Sequence, residues 1–293
     1  MELGNAHGLV VLRDGEIDVE LYGSGEDHRL GDPLGVVDFG PDTLHDVRSV
    51  TKSVVSLLYG MALAEGRVPG PAEELSRYFP ESPRPGLTVG HALTMTLGLE
   101  WDESVPYTST ANSELAMEDA PDRYRYVLER PAVAEPGTVW NYSGGATALL
   151  ARLVAQGVGE PLEEFARKRL FEPLGVDFAW TAAEDGIVYA AAGLRLTPRG
   201  MAAIGQLVLD GGRDLVPGAW LAESLRSHVP VDGDLGYGYQ WWVSPEWVAA
   251  MGNGGQRILL VPERGLVVAL TAGDYDDFTQ PSAAAVLEQL LKG

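Results

Sequence analysis

Strand-forming sequences lie at both ends of this chain of 293 residues, and helical patterns fill the region between them. Residues 8–22 hold two short β-rich runs around the turn dipeptide Asp14-Gly15, which is typical of a hairpin. The apolar runs RILLVP and GLVVALTAG on either side of a Pro262–Gly265 turn predict a second, buried hairpin. Because these strands come from the two ends of the chain, we expect one antiparallel sheet built from both chain ends, with a helical lobe inserted.

A helical pattern begins at Ser49 and continues, with apolar residues three and four positions apart, to a stop at Gly66. Similar patterns predict further helices from Pro161, over about 198–210 and over 282–291. These helices separate or flank the strand-forming ends of the chain. The order of the elements therefore predicts an α+β fold.

We expect two structural parts in this fold. Residues 1–45 and 185–293 would form the sheet domain, and residues 46–184 would form a mainly helical lobe. The polar, Gly-rich sequence that follows the first hairpin predicts a loop up to about residue 45. Alternation in LGYGYQWWV predicts one strand with three aromatic side chains on the same face: Tyr237, Tyr239 and Trp241.

The formal net charge of the chain is -21, from 21 basic and 42 acidic residues. A surface this negative repels phosphate backbones and anionic membranes, so we expect neither nucleic-acid nor membrane partners. The chain has no cysteine, which excludes disulfides, thiolate nucleophiles and Cys-ligated zinc. It has no run of about 18 uninterrupted apolar residues and no signal-peptide pattern at its start. We therefore expect a cytoplasmic protein.

Only one of the three lysines of the chain lies within an apolar helical pattern. Lys168 lies in the charged run ARKRL and Lys292 lies beside the C-terminus, so both are typical of solvated side chains. Lys52 lies in the first turn of the helix that starts at Ser49, and residues three apart share a helix face. A lysine in this position is poorly placed for stability, because the positive end of the helix macrodipole disfavours a cation.

The pair formed by Ser49 and Lys52 has two interpretations. The field of the helix end lowers the pKa of Lys52, and a neutral lysine beside a serine hydroxyl is a general base next to a weak nucleophile. The Ser49 amide at the same helix end could then donate to an oxyanion. The alternative is that Ser49 caps the helix and Lys52 is a surface charge. The pair alone does not decide between them.

Two further segments could complete an active site. Tyr142 lies in WNYSGG, directly before a helical run, and a phenol near an ammonium can act as an acid or a base. The alternative is a half-buried loop tyrosine. The sequence MGNGGQ leads into the strand at 257–261, and glycines at a strand mouth indicate close backbone approach by a ligand or another chain. Here the alternative is a plain turn.

Other catalytic and cofactor-binding motifs are absent from the sequence. It contains no G-x-S-x-G elbow, no HExxH, no Walker loop and no complete GxGxxG, and its five histidines show no metal-ligand spacing. The acidic loops at 232–234 and 274–277 are more typical of solvated loops than of a cation site. We therefore expect neither a metal nor an organic cofactor.

Three segments occur in a familiar order: SVTKS at 49–53, NYS at 141–143 and GNGGQ at 252–256. Together with LTMTLGLEWDE at 93–103 and LFEPLGV at 170–176, they resemble the class C β-lactamase and DD-peptidase superfamily of serine hydrolases, in particular its esterase and 6-aminohexanoate-oligomer hydrolase branch. The resemblance extends over nearly the whole chain from residue 8. It implies a β-lactamase/transpeptidase-like fold with the active-site cleft between the two lobes.

The resemblance also implies roles for individual residues. Ser49 would be the nucleophile, Lys52 its base and Tyr142 the third catalytic group. The Ser49 amide and a backbone amide of the third motif, with Asn253 as the first choice, would bind the oxyanion.

Two segments depart from the family pattern. The third motif usually contains Lys or His, where this chain has Gly252-Asn253-Gly254, and the second usually ends in Asn, where this chain has Gly144. Arg257 is close in sequence, but strand alternation predicts that it faces away. Both departures argue against strong β-lactamase activity and leave acyl transfer intact.

These observations predict a serine hydrolase that cleaves ester or amide bonds of small substrates through an acyl-enzyme on Ser49. We expect an apolar cleft, suited to uncharged acyl groups, with these lining residues: Trp101, Tyr237, Tyr239, Trp241, Gly254, Gly255 and Gln256. One alternative is a true β-lactamase or DD-peptidase. Another is a non-catalytic binding protein on the same fold.

Overall fold

Eight antiparallel strands form the main sheet, and both ends of the chain contribute to it. The computed structural model of the chain describes residues 4–81 and 84–291, so Lys292 lies outside the described residues. From one edge to the other, the strands are β2 (Glu16–Tyr22), β1 (Ala6–Arg13), β13 (Leu266–Ala272), β12 (Gln256–Val261), β11 (Val248–Gly252), β10 (Trp242–Val243), β9 (Leu235–Tyr237) and β8 (Val229–Asp232). The pairing of β1 with β13 confirms the predicted sheet built from both chain ends.

Both predicted hairpins are present. Strands β1 and β2 are joined at Asp14-Gly15, where both residues have positive φ. Strands β12 and β13 are joined through a 3₁₀ turn at Pro262–Arg264. Consecutive residues of β12 pack into two different cores, Ile258 into the larger one and Leu259 into the smaller one. The sheet is therefore covered on both faces, which explains why these strands are apolar runs rather than alternating sequences.

Helices cover the two faces of the sheet and form the inserted lobe. In the part of the chain that the structure describes, they are α1 (Val50–Ala64), α2 (Val89–Leu93), α3 (Ser113–Glu118), α4 (Arg123–Leu128), α5 (Gly144–Val158), α6 (Leu162–Ala166), α7 (Glu172–Leu174), α8 (Pro198–Leu209), α9 (Gly218–Ser224) and α10 (Pro281–Leu291). Helix α1 packs against α5, α9, β11 and β12. Because 13 of its 15 residues are buried, Lys52 is embedded in the protein.

Two segments differ from the sequence-based prediction. The loop predicted before residue 45 is a hairpin of β3 (Ser24–Arg29) and β4 (Asp32–Asp38), whose residues are mostly exposed. The single strand predicted at 235–243 is instead two strands, β9 and β10, joined by a turn. Trp242 of β10 pairs with Tyr237 of β9. The three aromatic residues predicted to share one strand face therefore do not.

A second, small sheet holds the chain just before α1. Its strands are, in order, β5 (His45–Asp46), β7 (Leu194–Leu196) and β6 (Phe178–Trp180). The Val47 amide extends this pairing by donating to the Leu194 carbonyl at 3.1 Å. The predicted α+β class is confirmed, whereas the domain boundaries at 45/46 and 184/185 stay a prediction. Across the described ranges, none of the helices has the length and apolar character needed to cross a membrane.

Candidate active site

Ser49 and Lys52 lie side by side at the start of α1. Lys52 Nζ donates a hydrogen bond to Ser49 Oγ at 2.9 Å, and the lysine is 1% exposed. Ser49 occupies the N-cap position, yet its side chain makes no capping hydrogen bond. The alternative of a capping serine with a surface lysine is therefore wrong. Lys168, in contrast, is exposed and ion-paired with Glu160, as its charged surroundings predict.

The turn into α1 depends on Arg48, a non-glycine residue in the left-handed region. Its φ of 49° costs about 1–2 kcal/mol of backbone strain. The guanidinium donates to the Leu30 carbonyl, and its Nε lies 3.5 Å from Asp46 Oδ2. Thr51 Oγ1 donates to the Arg48 carbonyl at 2.6 Å. These contacts offset the strain and fix the direction in which Ser49 enters the helix.

Two buried carboxylates surround the Lys52 ammonium. Nζ lies 3.1 Å from Glu114 Oε2 and 3.8 Å from Glu103 Oε2, and it donates to the Ala191 carbonyl at 3.2 Å. Burial alone lowers the lysine pKa, but attraction to Glu114, Tyr142 and Glu103 outweighs it and raises the pKa above its ordinary value. The prediction of a neutral Lys52 is therefore wrong for the resting site, because the lysine is charged.

Glu103 and Glu114 are held in different ways. Glu103 accepts hydrogen bonds from Trp101 Nε1 at 2.6 Å, the Gly144 amide at 2.5 Å and the Tyr107 hydroxyl at 3.1 Å. Glu114, on α3, has the lysine ammonium as its hydrogen-bond donor. Burial raises the pKa of Glu114, the lysine lowers it, and the neighbouring Glu103 raises it again, with a result of about 8.

Neither carboxylate is predicted from the sequence as a site residue. Glu103 lies in LTMTLGLEWDE, one of the segments that support the family resemblance, so its position could have marked it as a site residue. Glu114 is one of 42 acidic residues and has no local signal. Its carboxylate lies 3.1 Å from Lys52 Nζ, and this contact depends on the tertiary packing of α3 and not on the local sequence.

Tyr142 completes the group around Ser49. Its ring centroid lies 4.8 Å from Lys52 Nζ, and Ser49 lies close enough to its hydroxyl to affect its pKa. Burial raises the pKa of Tyr142, and this effect exceeds the opposing effects of the lysine and of Ser49. The next residue, Ser143, caps α5 by accepting from the Ala146 amide at 3.2 Å. The structure therefore brings together the three residues predicted to be catalytic.

The third motif forms the turn between β11 and β12. A Cβ on Gly252 would lie 2.3 Å from the Val47 carbonyl oxygen, so the glycine allows this turn to approach the backbone just before Ser49. Within residues 4–81 and 84–291, the backbone amides of Ser49 and Asn253 have no hydrogen-bond acceptor. Both residues line the same cleft. The two amides are therefore available as oxyanion donors.

A cleft of about 540 Å³ opens beside Ser49. Four of its lining side chains are apolar, Trp140, Trp242, Met251 and Phe278, and the rings of Trp140 and Trp242 are in contact, with centroids 5.5 Å apart. The remaining lining side chains are polar or charged, and they include Asp102, Glu103, Tyr107, Asn141, Tyr142, Arg257 and Gln280. The cleft therefore has a mixed lining, with fewer apolar side chains than polar or charged ones.

The structure places the aromatic residues of the predicted strand at 235–243 elsewhere. Trp241 is fully buried in the larger core, and Tyr239 stacks on His228. Tyr237 is buried and does not line the cleft, and its ring centroid lies 5.2 Å from that of Trp242. Because the chain turns between β9 and β10, Trp242 reaches the cleft in place of Trp241.

Trp101 and the glycine turn are also absent from the lining of the cleft. Trp101 is buried, and Gly254 and Gly255 form the turn itself, with φ of 88° and 91°. The Gln256 side chain points to β13, where its amide exchanges hydrogen bonds with the backbone of Ala272 at 2.6 and 3.1 Å. The third motif instead contributes its first two residues to the cleft.

Arg257, which strand alternation predicts to face away, lines the cleft. Its Nη1 donates to the carbonyls of Gly252 and Gln256 at 3.3 and 2.7 Å, and its Nη2 donates to the Gln280 side chain. Burial lowers its pKa to about 10, which leaves the guanidinium charged at neutral pH. The cleft therefore contains a cation beside the third motif.

The acidic loop at 274–277 has a structural contact with the third motif. Asp276 and Asn253 exchange two hydrogen bonds, at 3.1 and 3.2 Å. No group of His, Cys, Asp and Glu side chains that could hold a metal ion is found among the described residues.

The chain matches a protein family and is similar to a curated hydrolase. The family model described as Beta-lactamase matches residues 4–291. The chain is 26% identical over 295 residues to a 6-aminohexanoate-dimer hydrolase from Paenarthrobacter ureafaciens. That match covers 89% of this chain and 70% of the relative.

Solved structures with a similar fold include a hydrolase and a penicillin-binding protein. EstCE1, a hydrolase with promiscuous acyltransferase activity, aligns with a TM-score of 0.77 at 18% identity, over 96% of this chain and 93% of its own. A penicillin-binding protein from Bacillus halodurans aligns with a TM-score of 0.78 at 18% identity, over 98% of this chain and 97% of its own. These similarities confirm the predicted β-lactamase/transpeptidase-like fold.

Proposed function

The chain belongs to the β-lactamase family, and we propose that it is a serine hydrolase that cleaves ester or amide bonds of small substrates through an acyl-enzyme on Ser49. The proposal rests on the 2.9 Å hydrogen bond from Lys52 Nζ to Ser49 Oγ, with the Tyr142 ring 4.8 Å from the same Nζ. The similarity to a named amide hydrolase supports hydrolysis as the reaction.

In the proposed reaction, Ser49 Oγ attacks the substrate carbonyl, and the amides of Ser49 and Asn253 stabilise the oxyanion. Lys52, the hydrogen-bond partner of the hydroxyl, takes the Ser49 proton together with Tyr142. Tyr142 then protonates the leaving group and helps to activate the water that releases the acyl group. The proposal requires neither a metal nor an organic cofactor.

The four apolar lining side chains, Trp140, Trp242, Met251 and Phe278, support a preference for uncharged acyl groups. The proposed partner is therefore a small-molecule ester or amide. The net charge of -21 argues against nucleic acids and anionic membranes as partners. A cytoplasmic location is part of the proposal, and fractionation of the native cells tests it.

Labelling with a fluorophosphonate, followed by intact-mass measurement, tests the nucleophile. We expect the mass of the wild-type protein to increase by one phosphonyl group, because Ser49 Oγ is activated and faces the cleft. The Ser49→Ala variant is the control and should stay unlabelled. An unchanged wild-type mass would favour a non-catalytic binding protein on the same fold, and equal labelling of both proteins would place the nucleophile elsewhere.

A β-lactamase or DD-peptidase is the second candidate, because Arg257 places a cation in the cleft. This guanidinium is already bound to two backbone carbonyls and the Gln280 side chain. We therefore expect slow or absent nitrocefin turnover beside measurable cleavage of a short-chain nitrophenyl ester. Nitrocefin turnover that exceeds ester cleavage, and that Arg257→Gln abolishes, would favour the second candidate.

A further inference from the structure

The three hydrogen bonds of the Lys52 ammonium lead to acceptors of different chemistry. Nζ donates to Ser49 Oγ at 2.9 Å, to Glu114 Oε2 at 3.1 Å and to the Ala191 carbonyl at 3.2 Å. An ammonium has three donors and no acceptor, so a charged lysine can take the Ser49 proton only if it releases one of its own. Of its three acceptors, the carboxylate of Glu114 is the one that can bind a proton as a stable acid.

We propose that Glu114 receives the proton that Ser49 loses during acylation, acting through Lys52. Glu114 is a positioning residue in this scheme, since it touches the lysine and not the substrate. The inference rests on the proposed function, in which Ser49 attacks the substrate carbonyl. The inference identifies the group that holds the Ser49 proton after the attack on the carbonyl and before the leaving group departs.

The proposed step balances in atoms and charge. One Nζ proton first moves to Glu114 Oε2, which frees the Nζ lone pair, and the Ser49 hydroxyl proton then moves to Nζ as the bond from Oγ to the carbonyl carbon forms and the carbonyl π bond breaks. Lys52 remains an ammonium, Glu114 becomes a neutral acid, and the negative charge moves from the carboxylate to the oxyanion. When the leaving group takes a proton through Tyr142, the lysine and Glu114 return theirs in the reverse order.

Gly144 leaves the space that Glu114 occupies. A Cβ at this position would lie 2.3 Å from Glu114 Oε2 and 2.8 Å from its Cδ. Any larger residue at the start of α5 would therefore push the carboxylate away from Lys52. The relay thus depends on a glycine as well as on the three groups that exchange protons.

The groups that face Glu114 set its affinity for a proton. Lys52 on α1 favours the charged form, whereas Glu103 and Glu118 favour the neutral form. The phenols of Tyr107 and Tyr142 also lie within electrostatic range of the carboxylate. Together with burial, these groups give Glu114 a pKa of about 8, so it exchanges a proton near neutral pH.

The test is the pH dependence of kcat/KM for the hydrolysis of a neutral nitrophenyl ester. In the wild-type protein we expect kcat/KM to rise with pH, with a midpoint near 8, because Glu114 must be ionised to accept a proton. Glu114→Gln should remove this rise and lower the plateau about 100-fold, the usual contribution of a general base. Glu103→Gln should keep the rise and move its midpoint to lower pH, because a neighbouring negative charge is gone.

Glu118→Gln is the matched control, since Glu118 lies on the same helix, does not contact Lys52, and has a pKa that burial raises to about 7. It should keep the rise, and its midpoint should move to lower pH by less than in Glu103→Gln, because Glu118 affects the Glu114 pKa less than Glu103 does. Two outcomes would overturn the inference: Glu114→Gln keeps the rise near pH 8, or Glu118→Gln removes it. Circular dichroism of each variant separates these outcomes from misfolding.

Fluorophosphonate labelling distinguishes failure of the relay from failure of the proposed function. If wild-type Ser49 is not labelled, the proposed function fails. If the wild-type protein and Glu114→Gln are labelled at equal rates with the same pH dependence, only the relay fails. Slower labelling of Glu114→Gln, without the rise near pH 8, supports the relay.

Discussion

Glu114 is a buried carboxyl group beside one cation and one anion, so its protonation affects stability as well as the reaction. Its pKa of about 8 in the folded protein lies above the ordinary value of 4.5. Between these two values, the folded protein holds a proton on Glu114 that the unfolded chain has released. The contribution of Glu114 to stability is therefore complete at low pH and is lost as pH rises toward 8.

Glu114→Gln should remove this pH dependence. We expect the free energy of unfolding of the variant, relative to wild type, to rise by more than about 1 kcal/mol between pH ~6 and pH ~9. Urea denaturation at the two pH values measures the difference. Glu129→Gln, which changes an exposed carboxylate beside α4, is the control and should show no such trend. A difference that stays constant with pH would contradict the raised pKa of Glu114.

At the residue scale, the sequence predicts which side chains meet but not their charge. Ser49, Lys52 and Tyr142 are recognisable because each lies at a helix start within a short motif. The charge of Lys52 depends on Glu103 and Glu114, which are 51 and 62 positions away in sequence and approach it only through packing. The helix dipole acts locally and is visible in the sequence, but two carboxylates within 4 Å outweigh it.

At the element scale, the start of α5 fixes three parts of the site. Its N-cap follows Tyr142, its first amide donates to Glu103, and its first residue leaves room for Glu114. A helix N-terminus also favours the negative charge of the two carboxylates. The position of this single helix end therefore determines the geometry around the lysine.

Gly144→Ala should lower activity without a comparable loss of stability. The added Cβ displaces the Glu114 carboxylate, while alanine is a better helix former than glycine by up to about 1 kcal/mol. We expect kcat/KM to fall by about 100-fold, as for Glu114→Gln. If Gly144 acts through Glu114, the double variant should be no slower than Glu114→Gln alone. Additive losses in kcat/KM would show that the two residues act independently.

The turn between β9 and β10 shows why element boundaries are harder to predict than motifs. Gln240 turns the chain with φ of 66°, and its buried side chain bonds to Thr147 and to the carbonyls of Ala92 and Leu93. These partners lie more than 90 positions away in sequence, so alternation within nine residues does not reveal the turn. Because the turn is not predicted, Trp241 is expected at the cleft, whereas Trp242 is the residue that lines it.

At the scale of the whole molecule, the sheet is predictable because its central strands are apolar and its two hairpins have turn dipeptides or a proline turn. The β3–β4 hairpin is not predictable in this way. Its residues are mostly exposed and include glycines and charges, so no apolar face marks it as strand. A buried face gives a strand or helix a periodic pattern of apolar residues in the sequence. Elements that bury few side chains lack this pattern and are harder to predict.

The net charge is also a property of the whole molecule, and it should reduce stability at low salt. With 42 acidic and 21 basic residues, half of the carboxylates lack a basic partner of their own. Their mutual repulsion favours the expanded, unfolded chain. Raising the salt concentration from about 0.01 M to about 1 M shortens the Debye length from about 30 Å to about 3 Å and screens this repulsion.

We therefore expect the melting temperature to rise over this range of NaCl, by roughly 2–4 °C for each kcal/mol of repulsion that is screened. Calorimetry or dye fluorescence measures the shift, and an uncharged solute at the same osmolality controls for solvent effects. The buried ion pairs of Lys52 are screened much less than surface charges, so the esterase activity of the folded protein should change little. A melting temperature that is constant or falls with salt would mean that the acidic side chains do not repel one another enough to affect stability.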